Sequence, residues 1–372
     1  AMGGKYLKTI VPRVIGENMY ANLYFGGAWQ FANLSMWALR HDGRTRQDIY
    51  VYNWEQLFAT LPLKELDKRA GKDVKFYQDW VDHRDYDDFW KAQSVEERYE
   101  DIKIPVLQIG GWYDIFVGGT FANFVGMRAR GGTQLAREQQ RAVIGPWFHA
   151  ASSATHAGEV DFGLDSVLDL KEIELRWFDH WLKGVPNGAE QDAPLRIYVM
   201  GANQWRDEHE WPLARTKFTP YYFHGGGEAN SLLGDGKLTT QAPADEPADH
   251  FVYNPAFPVP TRGGNNCCNP DLLPWGGYDQ RSLEYRNDVL VYTSDPLEED
   301  LEVTGPVFVK LFASTDGRDT DFTAKLVDVH PDGYAVNLCD GIIRGRYRTT
   351  QERQTLLEPG EVYEFTIDIW PT

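Results

Sequence analysis

Cysteine is scarce in this chain: three residues in 372, too few for a disulfide scaffold. Cys267 and Cys268 are adjacent, and Cys339 falls in an expected strand. Reduced or inert thiols, a vicinal disulfide and a thiol nucleophile all remain open readings of the adjacent pair. Basic charge is also short, with 37 Lys and Arg against 55 Asp and Glu and a formal net charge of −18. That balance argues against nucleic acid or an anionic membrane as the main partner. No apolar run approaches the roughly 18 residues of a membrane-spanning helix, and no signal peptide opens the sequence. The compartment stays open between cytoplasmic and secreted. Also missing is a serine in Gly-x-Ser-x-Gly. None of Ser35, Ser94, Ser152, Ser153, Ser166, Ser231, Ser282, Ser294 and Ser314 stands in that setting. Aromatic residues, by contrast, are plentiful (13 Trp, 19 Tyr, 19 Phe), as large β-rich cores or aromatic-lined pockets require.

The length allows two or three domains. Tyr6 to Val11 reads as a strand closed by Pro12, and so abrupt an opening reads as a chain cut mid-domain. From about Gly16 to Glu100 the spacing is helical, clearest at Trp54–Phe58 and from Phe76 to Tyr99, with no convincing strand. The acidic stretch from Asp79 to Asp88 is expected on a solvated face. Alternation of strand and helix then resumes. Ile104–Ile109 and Arg141–Ile144 read as buried strands, and helices are expected over 120–130 and 165–183. Gly131 and Gly184 mark the two helix ends. Leu170, Ile173, Trp177 and Trp181 share one helix face.

After Leu195 helical spacing disappears. Short strand-like runs follow at 196–199, 219–223, 288–292, 307–313, 321–329 and 361–369, with a turn at Pro331-Asp-Gly333. Trp205 to Glu208 is expected to form a corner of this β region. Many short strands at this spacing imply a sandwich or jelly roll.

Asp114 ends Gly110-Gly-Trp-Tyr-Asp114 and His149 ends Gly145-Pro-Trp-Phe-His149, each just past an expected strand. Open α/β sheets place their chemistry at the carboxyl ends of strands. An acid followed by a histidine is also the order of the last two members of an α/β-hydrolase triad. In that chemistry the imidazole takes the nucleophile's proton and returns it to the leaving group, while the carboxylate fixes its tautomer. The bland alternative is a loop-bonding aspartate beside a structural histidine. His149, His156, Glu159 and Asp161 form a rival constellation, but their spacing matches no established zinc pattern.

Taken with Phe178-Asp-His-Trp-Leu-Lys-Gly184, Val199-Met-Gly-Ala-Asn-Gln-Trp-Arg-Asp-Glu208, Asp321–Val329 and Leu338–Ile342, these motifs mark a resemblance. The chain resembles the cocaine esterase (CocE/NonD) hydrolase family, related to X-Pro dipeptidyl-peptidases and α-amino acid ester hydrolases. The resemblance covers essentially the whole sequence. It implies an α/β fold, with a partial α/β-hydrolase domain at 1–32 and 101–190, an inserted helical cap at 33–100 and an all-β jelly roll at 191–372. It also implies Asp114 and His149 as triad acid and base, and Trp37 and Phe116 as pocket aromatics. Cys267 and Cys268 then lie on a segment approaching the site.

The implied reaction is acyl transfer on a small-molecule ester or amide, without a metal or an organic cofactor; a homo-oligomer is left open. Ile115 and Phe116 after Asp114 favour an apolar acyl group, because the amino acid ester hydrolases carry acidic residues near this position. On this reading the nucleophile segment and the last jelly-roll strands are missing, and these 372 residues alone are expected to be inactive. An X-Pro dipeptidyl-peptidase and a non-catalytic jelly-roll binding protein are the alternatives.

Overall fold

Aromatic side chains organise the first hundred residues. The computed structural model describes residues 6–149, 154–267 and 269–372. Helices α1 (Phe31–His41) and α2 (Lys75–Asp82), with short helical turns at Trp54–Phe58 and Asp88–Lys91, turn their apolar sides onto one cluster. Tyr20, Met36, Leu39, Leu66, Tyr77 and Trp90 fill its centre. Asn53 and Asp87 start the two short helices by accepting hydrogen bonds from the amides of Gln56 and Phe89.

One expectation fails in this region. Tyr24–Phe25 pairs with Ala28–Trp29 as a tight hairpin. Gly26 and Gly27, at φ +55° and +79°, supply the left-handed backbone such a turn needs. The acidic stretch is also more engaged than a solvated face. Asp82 pairs with Lys64, Asp87 with His83, and Asp85 accepts a 2.7 Å hydrogen bond from the Tyr347 hydroxyl.

The central sheet holds four strands. β1 (Val106–Tyr113) runs parallel to β2 (Gln140–Phe148), and β2 runs parallel to β3 (Leu195–Val199). β4 (Gln204–Glu208) closes the edge antiparallel to β3. Every β1 residue is buried, as expected of a parallel strand covered on both faces. Alternation splits the side chains between two layers. Ala142 and Ile144 meet Val117, Phe121 and Phe124 of α3 (Val117–Arg130). Leu107, Ile109 and Val143 meet Leu170 and Trp177 of α4 (Leu170–Lys183). α4 starts later than its spacing suggests because the Asp169 side chain caps it, accepting from the amides of Lys171 and Glu172. It ends on Gly184 at φ +73°, where the chain leaves the helix through a left-handed residue. The expected strand at 6–11 reduces to parallel bridges of Ile10 and Arg13 with β1. Pro12 accepts from the Ile109 amide but has no N–H to return.

β3 and β4 belong to this sheet rather than to the later β elements. Leu195 and Ile197 enter the same apolar layer as Ile144, and Trp205 stacks near Trp147. Beyond them, Tyr222–His224 pairs with Lys237–Thr239, and the run at 288–292 makes an isolated bridge at Leu290, with another just past it at Thr293. Two longer antiparallel ladders follow. β5 (Pro306–Ala313) pairs with β8 (Tyr363–Pro371), and β6 (Asp321–Val329) pairs with β7 (Ala335–Arg344). Val309, Leu311, Phe322, Cys339, Ile343, Phe365 and Ile367 form the cluster between the ladders. A long connection, 254–280, precedes these ladders in the chain and reaches the carboxyl end of the central sheet. There the Gly277 amide bonds Ala157, and Trp275 stacks on Phe148 at 4.7 Å.

Candidate active site

Where β1 ends, its neighbour must come close. A Cβ on Gly111 would sit 2.2 Å from the Trp147 carbonyl oxygen, so only glycine lets the ends of β1 and β2 approach this far. Each strand then delivers one polar residue at its carboxyl end. Asp114 follows β1 and His149 follows β2.

Asp114 is fully buried. A carboxylate in that position needs partners for both oxygens. One oxygen accepts a 2.7 Å hydrogen bond from the Phe116 amide at the start of α3. The other lies 3.2 Å from His149 Nδ1. An imidazole bonded to a carboxylate through Nδ1–H keeps Nε2 as the proton acceptor. The His149 side chain is 25% exposed, whereas that of Asp114 is sealed from solvent. The Phe116 ring stands edge-on to the imidazole with centroids 5.6 Å apart, so an apolar surface borders the base.

Two asparagines, neither singled out by the sequence reading, tie other segments to this point. Asn265 donates both carboxamide hydrogens to backbone carbonyls at the end of β1, to Trp112 at 2.8 Å and Asp114 at 2.9 Å. Asn33 on α1 accepts a 3.3 Å hydrogen bond from the Cys267 amide. Their only sequence signal is weak: Asn265 follows Gly263-Gly264, a pattern shared by ordinary turns.

Cys267 is buried and disulfide-bonded, which corrects the reading of reduced or inert thiols at that position. Cys268 lies outside the described residues. Cys339 is a free buried thiol whose ionisation burial pushes far up, so it has no nucleophilic character. Trp37 is half-exposed. It stacks on His41 at 4.2 Å and packs near Phe76 and Trp80, one helical turn beyond Asn33 on the same side of α1. The structure thus brings Asp114, His149 and Phe116 into direct contact. Among the described residues Trp37 and Cys267 touch none of the three; they lie on α1 and on the loop that the Asn33–Cys267 hydrogen bond joins.

The rival constellation separates. His156 bonds Thr155 and lies 3.6 Å from Asp161 on an exposed hairpin. Glu159 instead accepts from Arg262 and from the Asp279 amide. Among the described residues no three His, Cys, Asp or Glu side chains gather as a metal site.

One further titratable group sits beneath the first turn of α3. The Glu17 Oε2 atom is enclosed without a hydrogen-bond partner, 2.1 Å from where a Cβ on Gly119 would lie. Burial, with a smaller contribution from Glu96, pushes the Glu17 carboxyl up to about 7.

Comparison with known proteins places this geometry in a family. Residues 1–151 match the family model of the X-Pro dipeptidyl-peptidase (S15 family), and 187–372 match that of the X-Pro dipeptidyl-peptidase C-terminal non-catalytic domain. Cocaine esterase of Rhodococcus sp. (strain MB1 Bresler) is 42% identical, over 98% of this chain and 66% of that protein. A putative Xaa-Pro dipeptidyl-peptidase of Bacillus cereus is 23% identical, over 83% of this chain and 45% of its own length. Among solved structures, an α-amino acid ester hydrolase superposes with a TM-score of 0.80 at 25% identity, over 98% of this chain and 63% of that one. The chain spans less than two thirds of the length of each of these relatives. The chain belongs to the family of X-Pro dipeptidyl-peptidases and cocaine esterase-like (CocE/NonD) hydrolases.

Proposed function

We propose that Asp114 and His149 are the acid and base of a serine-type acyl hydrolase acting on small esters or amides. The observation that carries this reading is the 3.2 Å contact between the buried Asp114 carboxylate and His149 Nδ1, at the ends of adjacent parallel strands. His149 Nε2 takes the proton of a serine hydroxyl as the oxygen attacks the carbonyl. It then gives that proton to the departing alkoxide or amine. A water repeats the cycle to release the acid from the acyl-enzyme. A positioned acid–base group is worth roughly 10²–10⁴ in rate.

Phe116 beside the base, and Ile115 in place of a second acid, suit an aromatic or aliphatic acyl group rather than an α-ammonium one. On this reading Trp37 and Cys267 line the far side of the acyl pocket. The two long ladders belong to a jelly roll, and the connection that precedes them closes the site. An X-Pro dipeptidyl-peptidase is the second reading, favoured by the two family models.

None of the nine serines in these 372 residues stands in Gly-x-Ser-x-Gly. The expectation is therefore that this chain alone does not turn over p-nitrophenyl esters, whereas a form carrying a serine elbow does so and loses the activity in His149→Ala. Turnover by the 372 residues that His149→Ala abolishes would refute the elbow requirement. Turnover by the serine-carrying form that survives His149→Ala would refute the acid–base pair. A panel of esters and X-Pro dipeptide amides separates the two substrate classes.

A further inference from the structure

The connection at 254–280 precedes the β ladders in the chain, packs against them, and reaches the end of β1. Its tip is rigid. Gly264 and Gly276 exchange backbone hydrogen bonds of 2.7 and 3.0 Å. The Asn266 carboxamide spans the loop, donating to the carbonyls of Gly263 and Pro274. Behind the tip, a Cβ on Gly264 would meet the Asp340 carboxylate at 3.2 Å. Asp340 stands on β7 opposite Lys325 of β6, and Lys325 donates to Gln280 on the same connection. The carboxyl end of the connection is thereby tied to the ladders, also by the Tyr278 amide donating to Asn337.

Asn265 projects from this tip and spends both N–H bonds on the carbonyls of Trp112 and Asp114. Those carbonyls flank Tyr113 and set the direction in which the chain leaves β1. The Asp114–His149 contact of 3.2 Å is already near the long end for a nitrogen–oxygen hydrogen bond. A shift of a few tenths of an ångström at Asp114 breaks it.

We propose that Asn265 is a positioning residue for the Asp114–His149 pair, through which the 254–280 connection holds the acid in register with the base. This rests on the reading of that pair as acid and base. Asn265 touches neither imidazole nor substrate, so its effect passes through Asp114.

An imidazole Nδ1–H shared with a buried carboxylate gives a far-downfield proton resonance that exchanges slowly with water, and it can be observed in the 372-residue chain without any substrate. The resonance is assigned by its disappearance in His149→Gln. The expected result is a signal in the wild type that is lost in Asn265→Leu, which keeps the side-chain shape but has no donors. The backbone amide spectrum must still report a folded chain. Should Asn265→Leu fail to fold, Asn265→Asp, also without the two donors, replaces it with the same expectation. A folded donorless variant that keeps the resonance unchanged overturns the proposal. A wild-type chain without the resonance overturns instead the acid–base reading beneath it, so the two failures are distinguishable.

Discussion

β1 and β2 are covered on both faces, whereas β5 and β6 present one face to the core and the other to water. Ile144 is fully buried beneath α3, while Phe308 and Phe312 of β5 are 49% and 68% exposed on either side of Lys310. The strands locked on both sides carry the proposed acid–base pair at their ends. The half-exposed ladders carry neither member of that pair, and the brace, Asn265, comes from the 254–280 connection packed between them and the sheet. A site held to within a hydrogen bond's tolerance needs rigid elements beneath it, and a two-sided core provides them.

The largest test of this contrast is chemical. In a serine-carrying form, Asp114→Asn is expected to lower ester turnover by about 10,000-fold with little change in KM, because an amide favours the wrong imidazole tautomer. A steady-state assay reads this directly. Next comes the core. Ile144→Ala should cost roughly 2–5 kcal/mol of stability, the range for emptying a packed aliphatic site, measured by denaturant unfolding.

The Glu17 carboxyl beneath α3 gives a smaller, pH-dependent effect. Its folded value of about 7 lies above the ordinary 4.5. Across that window the folded chain keeps a proton that the unfolded chain releases. Stability therefore falls as pH rises from about 4.5 to about 7, and is flat above that. Glu17→Gln should remove this slope and be the more stable form above pH 7, by up to ~3 kcal/mol; unfolding midpoints at pH 4.5 and 8 decide it. The smallest effect belongs to the ladders. Phe312→Ser, on the exposed face, should change stability by about 0.5 kcal/mol or less. A loss as large as that of Ile144→Ala would erase the contrast between the two regions.

Much of this organisation is legible locally. The runs at 104–109 and 141–144 announce buried strands because burial on both faces leaves few polar positions, Gln108 and Arg141 among them. Alternation at Val307, Val309 and Leu311 announces a half-buried one. Asp114 and His149 are visible because strand ends and triad order are properties of the chain itself. What is not legible is partner choice. Nothing around Leu195–Val199 says that it joins β2 rather than the later strands, since pairing is decided by the apolar layer shared with Ile144. The hairpin at Tyr24–Trp29 is too short to show alternation, and only Gly26-Gly27 signals it. Asn265 is hidden for the same reason as β3: the two carbonyls it serves lie some 150 residues away in sequence.

The account turns on which nitrogen of His149 carries the proton. With the imidazole neutral, its ¹⁵N spectrum in the 372-residue chain should show a protonated Nδ1 and a bare Nε2, as the bond to Asp114 requires. A protonated Nε2 with a bare Nδ1 would contradict it.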